Sequence, residues 1–352
     1  MNEQGVGNLG VAAMLTGYRA TDDVTFVISK SKEQFFTNNR ERLENFVSWL
    51  LNEHGCAERE FSAKLIFKSV KSPPLLYECS YSITQDIDHC LALSGGLDSL
   101  SSYLELQVQG IRPQCSFVDY NQAQLIFEKK SLLECAKRLS LDVSMFMIDV
   151  ASVQPATTTG WPLDGFKIPA RNFTILSLMD RFIDTDSDKW REHPEREQTR
   201  TLNYGVYAGE IMDKNRDKSR RFFDECTSIF SEYNGVETIV RSPVAHMSKT
   251  EQLKFLDSVG YLDFALNTCR TCVSTTIEPC LNCKPCFNRM LSVYHAGFAD
   301  RVQKSQWSRL ASSSVVAEYG EHIDDYTGDR KRDIDEFLAF LVDLDNPDAT
   351  WM

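Results

Sequence analysis

Apolar and polar positions follow two different rhythms along the chain, and the change between them divides it. Val24 to Ile28 carries a strand pattern, and over residues 33 to 53 Phe36, Leu43, Phe46, Val47, Leu50 and Leu51 fall at helical spacing. That spacing predicts a helix with one apolar face. Two further strand-like runs, Phe61 to Phe67 and Leu76 to Ile83, flank Ser72-Pro73-Pro74 and read as a hairpin. Together these predict a small β-α-β-β unit ending near residue 86. Residues 1 to 20 hold Gly5, Gly7, Gly10 and Gly17 without periodicity, which reads as a loose terminus or one ordered only by a partner.

From residue 88 strands and helices alternate. Cys90 to Leu93 is a short buried strand, 98 to 109 a helix, Gln114 to Tyr120 a strand, 122 to 139 a helix and Val143 to Val150 a strand. Such alternation predicts βαβ crossovers and a parallel sheet covered on both faces, with ligands at the carboxyl ends of its strands. Asp184 to Arg200 is dense in charge and reads as a solvated surface insertion. Residues 287 to 297 read as helical. Ile334, Phe337, Leu338, Leu341 and Leu344 predict a last amphipathic helix before the tail Pro347 to Met352.

Composition narrows the class. The 352 residues are 42% hydrophobic and 25% charged, which suits one large or two ordinary folded domains and not a disordered chain. Apolar runs fall short of the roughly 20 residues a spanning helix needs, and the first 30 residues lack a basic region followed by a hydrophobic stretch. The expectation is a soluble, cytoplasmic protein with no membrane partner. A net charge of −12 disfavours a broad hold on nucleic acid, although a local basic pocket stays open. Of 11 cysteines, Cys56, Cys79, Cys90, Cys115, Cys135 and Cys226 are scattered and read as small core residues of a reduced compartment. The other five crowd between 269 and 286, and that crowding calls for chemistry.

The most informative string is Leu91-Ala92-Leu93-Ser94-Gly95-Gly96-Leu97-Asp98-Ser99. A buried strand runs into two glycines, which let the backbone turn sharply and present N–H groups, and a helix starts behind them. Asp98 and Ser99 fall in its first turn, so the segment reads as an anion cradle. It has neither the G-x-x-x-x-G-K-[ST] nor the G-x-G-x-x-G pattern. Two later segments suit the same anion. Pro169-Ala170-Arg171-Asn172 reads as a helix start with proline in the first turn and Arg171 near the positive helix end. Ser248-Lys249-Thr250-Glu251 is a capping-box pattern that puts Lys249 at the first helical position. A cation there is unfavourable unless an anion compensates it.

Cys269 and Cys272 precede Cys280-Leu281-Asn282-Cys283-Lys284-Pro285-Cys286. Four thiolates closing on zinc need close pairs, and C-x-x-C-x-x-C supplies three of them. Five cysteines compete for four positions.

Residues 90 to 292 resemble 7-cyano-7-deazaguanine synthase, the QueC family of PP-loop ATP pyrophosphatases. The resemblance rests on the Ser94 to Ser99 loop, Val118-Asp119-Tyr120-Asn121-Gln122, Pro169-Ala170-Arg171-Asn172, Ser242-Pro243-Val244 leading to Lys249, and Cys272, Cys280, Cys283 and Cys286. It implies an α/β fold: a Rossmann-like parallel sheet with a PP-loop, as in the adenine nucleotide alpha hydrolases. Four parts follow: an amino-terminal α/β extension (1–87) that reads either as a packing extension or as a possible partner-docking unit, a PP-loop nucleotide-binding domain (88–265), a zinc-binding segment (266–300) and a carboxyl-terminal helical extension (301–352). The family's zinc pattern begins with a lone cysteine, which makes Cys272 the nearer match and Cys269 an extra thiol or alternative ligand. The chain departs from the family at Asn121, where glycine is usual, and near Gln124, where a histidine is. The family's Gly-Tyr-Pro-Asp-Cys-Arg segment survives only faintly as Lys214-Asn215-Arg216-Asp217-Lys218-Ser219. In its length and divergence the chain resembles the QueC-like proteins of antiphage defence operons, such as type IV CBASS and Qat systems.

The resemblance implies ATP and Mg²⁺ as well as Zn²⁺. ATP would lie on Ser94, Gly95, Gly96, Leu97, Asp98 and Ser99, with Val118, Asp119, Tyr120 and Lys249. Asp98, Ser99, Arg171 and Lys249 are the candidate catalytic residues, with Asp98 orienting the loop or a metal-bound water. Arg171, Asn172 and Asp217 would bind the substrate, Asp217 reading a guanine-like amidine edge. Adenylating 7-carboxy-7-deazaguanine removes the charge that repels amines and supplies a leaving group. Ammonia would then give an amide that a second ATP dehydrates to the nitrile. A protein amine gives a secondary amide, which cannot lose water to a neutral nitrile, so catalysis would stop after one ATP. This reading expects a co-encoded acceptor protein. Its rivals are a housekeeping nitrile synthase, a tRNA-modifying PP-loop enzyme, which the acidity disfavours, and a non-catalytic nucleotide-binding subunit, which the unfavourable cations disfavour.

Overall fold

The computed structural model describes residues 5–19, 21–53, 60–71, 77–80, 88–120, 125–148, 168–184, 199–211, 216–272 and 278–344. Ser72-Pro73-Pro74, Asn121, Gln122, Gln124, most of the charged stretch after Asp184, Lys214-Asn215 and the tail from Pro347 lie outside them.

Strands β1 (Asp23–Ser29) and β2 (Lys64–Val70) form a two-stranded sheet. The central sheet has six strands: β3 (Glu78–Ser80), β4 (His89–Ala92), β5 (Gln114–Asp119), β6 (Val143–Met147), β7 (Arg200–Asn203) and β8 (Thr238–Arg241). Their order is β3-β6-β5-β4-β7-β8, parallel except for β3 against β6. The fold is therefore α/β with a mostly parallel central sheet. In β5 every residue from Cys115 to Asp119 is buried, as expected of a strand covered on both faces.

One face packs against α1 (Val6–Arg19), α2 (Glu33–Asn38), α3 (Arg40–Glu53), α6 (Arg171–Asp184) and α7 (Arg220–Asn234). The other carries α4 (Leu97–Val108), α5 (Leu125–Leu139), α8 (Lys249–Ser258), α9 (Leu262–Thr268), α10 (Lys284–His295), α11 (Lys304–Ala311), α12 (Ser314–Glu321) and α13 (Gly328–Asp343). Adjacent residues of one strand feed the two cores in turn: Cys90 the first and Leu91 the second. No described helix is long and apolar enough to cross a membrane.

Three sequence expectations are corrected. Residues 6 to 19 are an ordered helix whose glycines are contact points. A Cβ on Gly10 would stand 2.0 Å from Ser177 Oγ, and one on Gly17 would stand 2.4 Å from the Cβ of Pro169. Seven positions apart, they share one face of α1, and missing side chains let α6 approach the helix backbone. Thr174 Oγ1 uses the approach to donate to the Gly10 carbonyl at 2.9 Å. The signal was spacing along a helix, which a search for apolar periodicity passes over.

The hairpin also fails. β2 pairs with β1 in parallel, Asp23 opposite Lys64, because α2 and α3 provide the crossover that parallel neighbours require. Both outer edges of this small sheet are met by helix side chains: Asn8 donates to the Val27 carbonyl, and Glu44 accepts the Leu65 N–H. β3 leaves the unit and joins the central sheet, Cys79 opposite Phe146. The amino-terminal core is continuous with that of α6 and α7. Finally, the helix over 33–53 breaks at Asn39, whose side-chain amide donates to the Phe35 carbonyl and to Glu232.

Candidate functional site

From β4 the chain builds outward through β5 and β6, then returns to β7 and β8 on the opposite side. The gap between β4 and β7 is thus the point where strand order reverses, where open α/β sheets take ligands. The Ser94 to Ser99 segment leaves β4 here and enters α4 at Leu97. Gly95 has a φ of 74°, and a Cβ there would stand 2.5 Å from the Leu132 nitrogen of α5, so both conformation and space demand glycine. Ser99 Oγ donates to the Gly96 carbonyl at 3.0 Å and accepts the Ser94 N–H at 3.2 Å, which fixes the loop. Ser94 Oγ lies 3.2 Å from Ser99 Oγ.

A cavity of about 310 Å³ opens over this loop. Ser94, Gly96, Asp98 and Ser99 line one side, Val118 and Tyr120 come from the end of β5, and Arg171, Tyr204, Glu210 and Lys218 line it as well. Of the sequence-assigned strand residues, Asp119 is absent from the lining and instead pairs with Lys129 at 2.5 Å.

Arg171 opens α6 through a turn in which its N–H donates to the Ile168 carbonyl at 3.3 Å. Pro169 therefore sits in that turn and not in the first helical turn, as the sequence had suggested. Ala170 follows it with a φ of 48°, a left-handed conformation uncommon for a residue with a side chain and the mark of local strain. Burial works against the Arg171 charge, but attraction from Tyr204 and Asp217, then Tyr120 and Glu128, outweighs it and raises its pKa. Asn172 is buried; it accepts from Tyr204 Oη at 2.5 Å and donates to the Asp217 carbonyl at 3.2 Å. Asn172 and Asp217 thus lie behind the cavity wall and hold its residues in place.

The 216–218 segment brings Lys218 to the cavity, paired with Glu210 at 2.7 Å. Burial lowers the Lys218 pKa, and the facing Glu210 carboxylate outweighs it, so the ammonium is retained. Burial raises the pKa of Tyr204, and Arg171 and Lys218 oppose that rise. Sequence reasoning missed Tyr204, Gly205, Glu210 and Lys218, which no local spacing joins to the loop. Gly205 fits because a Cβ there would come within 3.0 Å of the Asp98 backbone.

The capping box is present: Ser248 Oγ accepts the Glu251 N–H and Glu251 Oε2 accepts the Ser248 N–H. Lys249 stands at the start of α8 as expected, but its ammonium donates to the Asp98 carboxylate and lies 4.5 Å from the centre of the Tyr207 ring. The anion that compensates the helix-terminal cation is part of the protein.

Cys272, Cys280, Cys283 and Cys286 place their sulfur atoms within 4.8 Å of one another. A tetrahedron with bonds of about 2.3 Å has edges of about 3.8 Å, so the four are close enough to hold a metal ion such as zinc. Leu281 turns the knuckle with a φ of 54°, while the Cys280 N–H donates to Cys272 Sγ and the Asn282 N–H to Cys280 Sγ. Cys269 lies outside the cluster. Its thiol hydrogen-bonds to Cys135, which together with burial raises its pKa. The carboxyl-terminal helices brace the knuckle: Asn282 Oδ1 accepts from Ser314 Oγ at 2.8 Å, and Phe287 stacks on Tyr319 at 3.9 Å.

No protein-family model matches the chain, and neither does any curated protein.

Proposed function

We propose that the chain is an ATP-dependent carbon–nitrogen ligase that adenylates 7-carboxy-7-deazaguanine and passes the acyl group to an amine. The observation that carries this reading is the loop locked around Gly95 at the point of strand reversal, sharing one cavity with Arg171. A volume of about 310 Å³ falls within the usual range for small-molecule sites. In the first step a substrate carboxylate oxygen attacks the α-phosphorus of ATP, and the bond to pyrophosphate breaks. In the second the amine attacks the acyl carbon, gives up a proton and releases AMP. Ser94, the backbone N–H groups at the start of α4, and Ser99 with its hydroxyl turned from the Gly96 carbonyl to the ligand would take the phosphate charge. Arg171 would offer a fixed guanidinium to the carboxylate. Mg²⁺ would share the charge of departing pyrophosphate, and zinc is the ion proposed for the cysteine cluster.

The acceptor we infer is an amine of a co-encoded partner protein in antiphage defence, as the resemblance to defence members implies. One observation favours ammonia as a second reading: α1 braces α6, so the amino-terminal segment already has a structural task without any docking role. Pairing of Lys249 with Asp98 likewise withdraws one objection to a non-catalytic nucleotide-binding subunit. Mass spectrometry of reactions containing ATP, carboxydeazaguanine, ammonia and co-encoded proteins separates these. A protein heavier by the deazaguanine acyl group supports the conjugating reading. Free nitrile without protein labelling supports the ammonia reading, and no product overturns catalysis.

A further inference from the structure

The cysteine-rich segment meets the Ser94 to Ser99 loop through Arg270. Its N–H donates to the Gly95 carbonyl at 3.3 Å, and a Cβ on Gly96 would lie 3.5 Å from the Arg270 carbonyl oxygen. Arg270 lines the same cavity as the loop, and its guanidinium carbon lies 4.6 Å from the centre of the Phe127 ring of α5. The backbone is anchored on both sides. Arg289 donates to the Cys269, Ala265 and Leu266 carbonyls just before Arg270, and Cys272 joins the metal-binding cluster just after it.

We propose that Arg270 is a phosphate-binding residue, carried to the loop by the metal-binding segment and recognising a nucleoside polyphosphate. Among the described residues, Arg270 is the cation lining the cavity whose backbone is bonded to the loop itself. A guanidinium resting on an aromatic ring is held in one plane, and its planar fork of donors suits phosphate oxygens better than a lysine ammonium does. The metal cluster then has a second task besides folding: it sets the position of a ligand-binding side chain two residues from its first cysteine.

The inference rests on the ATP reading, and the experiment separates the two. Calorimetric titration of the full chain with MgATP and with adenosine is compared for the unsubstituted protein, Arg270→Ala, Arg270→Gln, Arg270→Lys and Ser99→Ala, with the metal content of each measured. Arg270→Ala and Arg270→Gln are expected to weaken ATP by about 10- to 100-fold while leaving adenosine affinity and metal content unchanged. Arg270→Lys should recover part of the loss. Equal loss of ATP and adenosine would mark a structural role and overturn the proposal. So would unchanged ATP affinity in both Arg270→Ala and Arg270→Gln alongside a weakened Ser99→Ala. An unsubstituted protein that binds no ATP would overturn the nucleotide reading and this proposal with it.

Discussion

Lys249 at the start of α8 is bonded through its ammonium to the carboxylate of Asp98 in the first turn of α4. A carboxylate is favourable at a helix N-terminus and a cation is not, so the pair lets Asp98 serve both helices. Asp98→Asn and Lys249→Ala are each expected to reduce pyrophosphate release, and the double variant to be no worse than the poorer single one. A double-mutant cycle on stability should give a coupling of about 0.5 to 3 kcal/mol. Strict additivity would mean that the two act separately.

The loop offers a contrast between shape and chemistry. Gly95→Ala forces a side chain into a left-handed residue packed on α5, and a loss of about 1 to 3 kcal/mol is expected in urea unfolding. Ser99→Ala should cost only about 1 kcal/mol of stability but weaken ATP by about 10- to 100-fold. Equal effects of both substitutions on stability would remove the distinction.

One zinc ion per chain is expected by elemental analysis, held by Cys272, Cys280, Cys283 and Cys286. Since binding such an ion contributes to folding, Cys283→Ser should yield insoluble or metal-free protein, whereas Cys269→Ser, outside the cluster, should keep its metal. Iron with labile sulfide, or the reverse order of severity, would contradict the assignment.

The packing of α1 on α6 makes the amino-terminal segment part of the support of the site. Gly17→Val drives its side chain against Pro169, three positions before Asn172 and at the turn that sets Arg171. It is expected to cost about 1 to 3 kcal/mol and to lower turnover, whereas Val342→Ser, exposed on α13, should stay within about 0.5 kcal/mol. Removal of residues 1 to 20 should unfold the chain. A truncated protein that melts like the full one would show that α1 is dispensable.

The strands and helices between 88 and 147 were legible because buried parallel strands and amphipathic helices announce themselves in local periodicity. The cluster of Cys272, Cys280, Cys283 and Cys286 was legible for a similar reason, since its members lie close together in the sequence. Contacts between distant segments were not. Nothing local to Lys249 says that Asp98 will meet it, and nothing in Gly10 and Gly17 says that α6 will lie against them. In the 216–218 turn the sequence drew attention to the carboxylate of Asp217, but the chain turns Lys218 toward the cavity and keeps Asp217 buried. A shift of one residue in a tight turn depends on tertiary packing, which the residues themselves do not encode visibly.

Adenylation itself is tested most directly by the fate of the substrate's carboxylate oxygen. Carboxydeazaguanine labelled with ¹⁸O in its carboxylate, incubated with ATP, the full chain and an amine acceptor, should give AMP carrying one ¹⁸O, because that oxygen forms the bond to the α-phosphorus. Formation of ADP and phosphate, or of AMP without label, would contradict the acyl-adenylate.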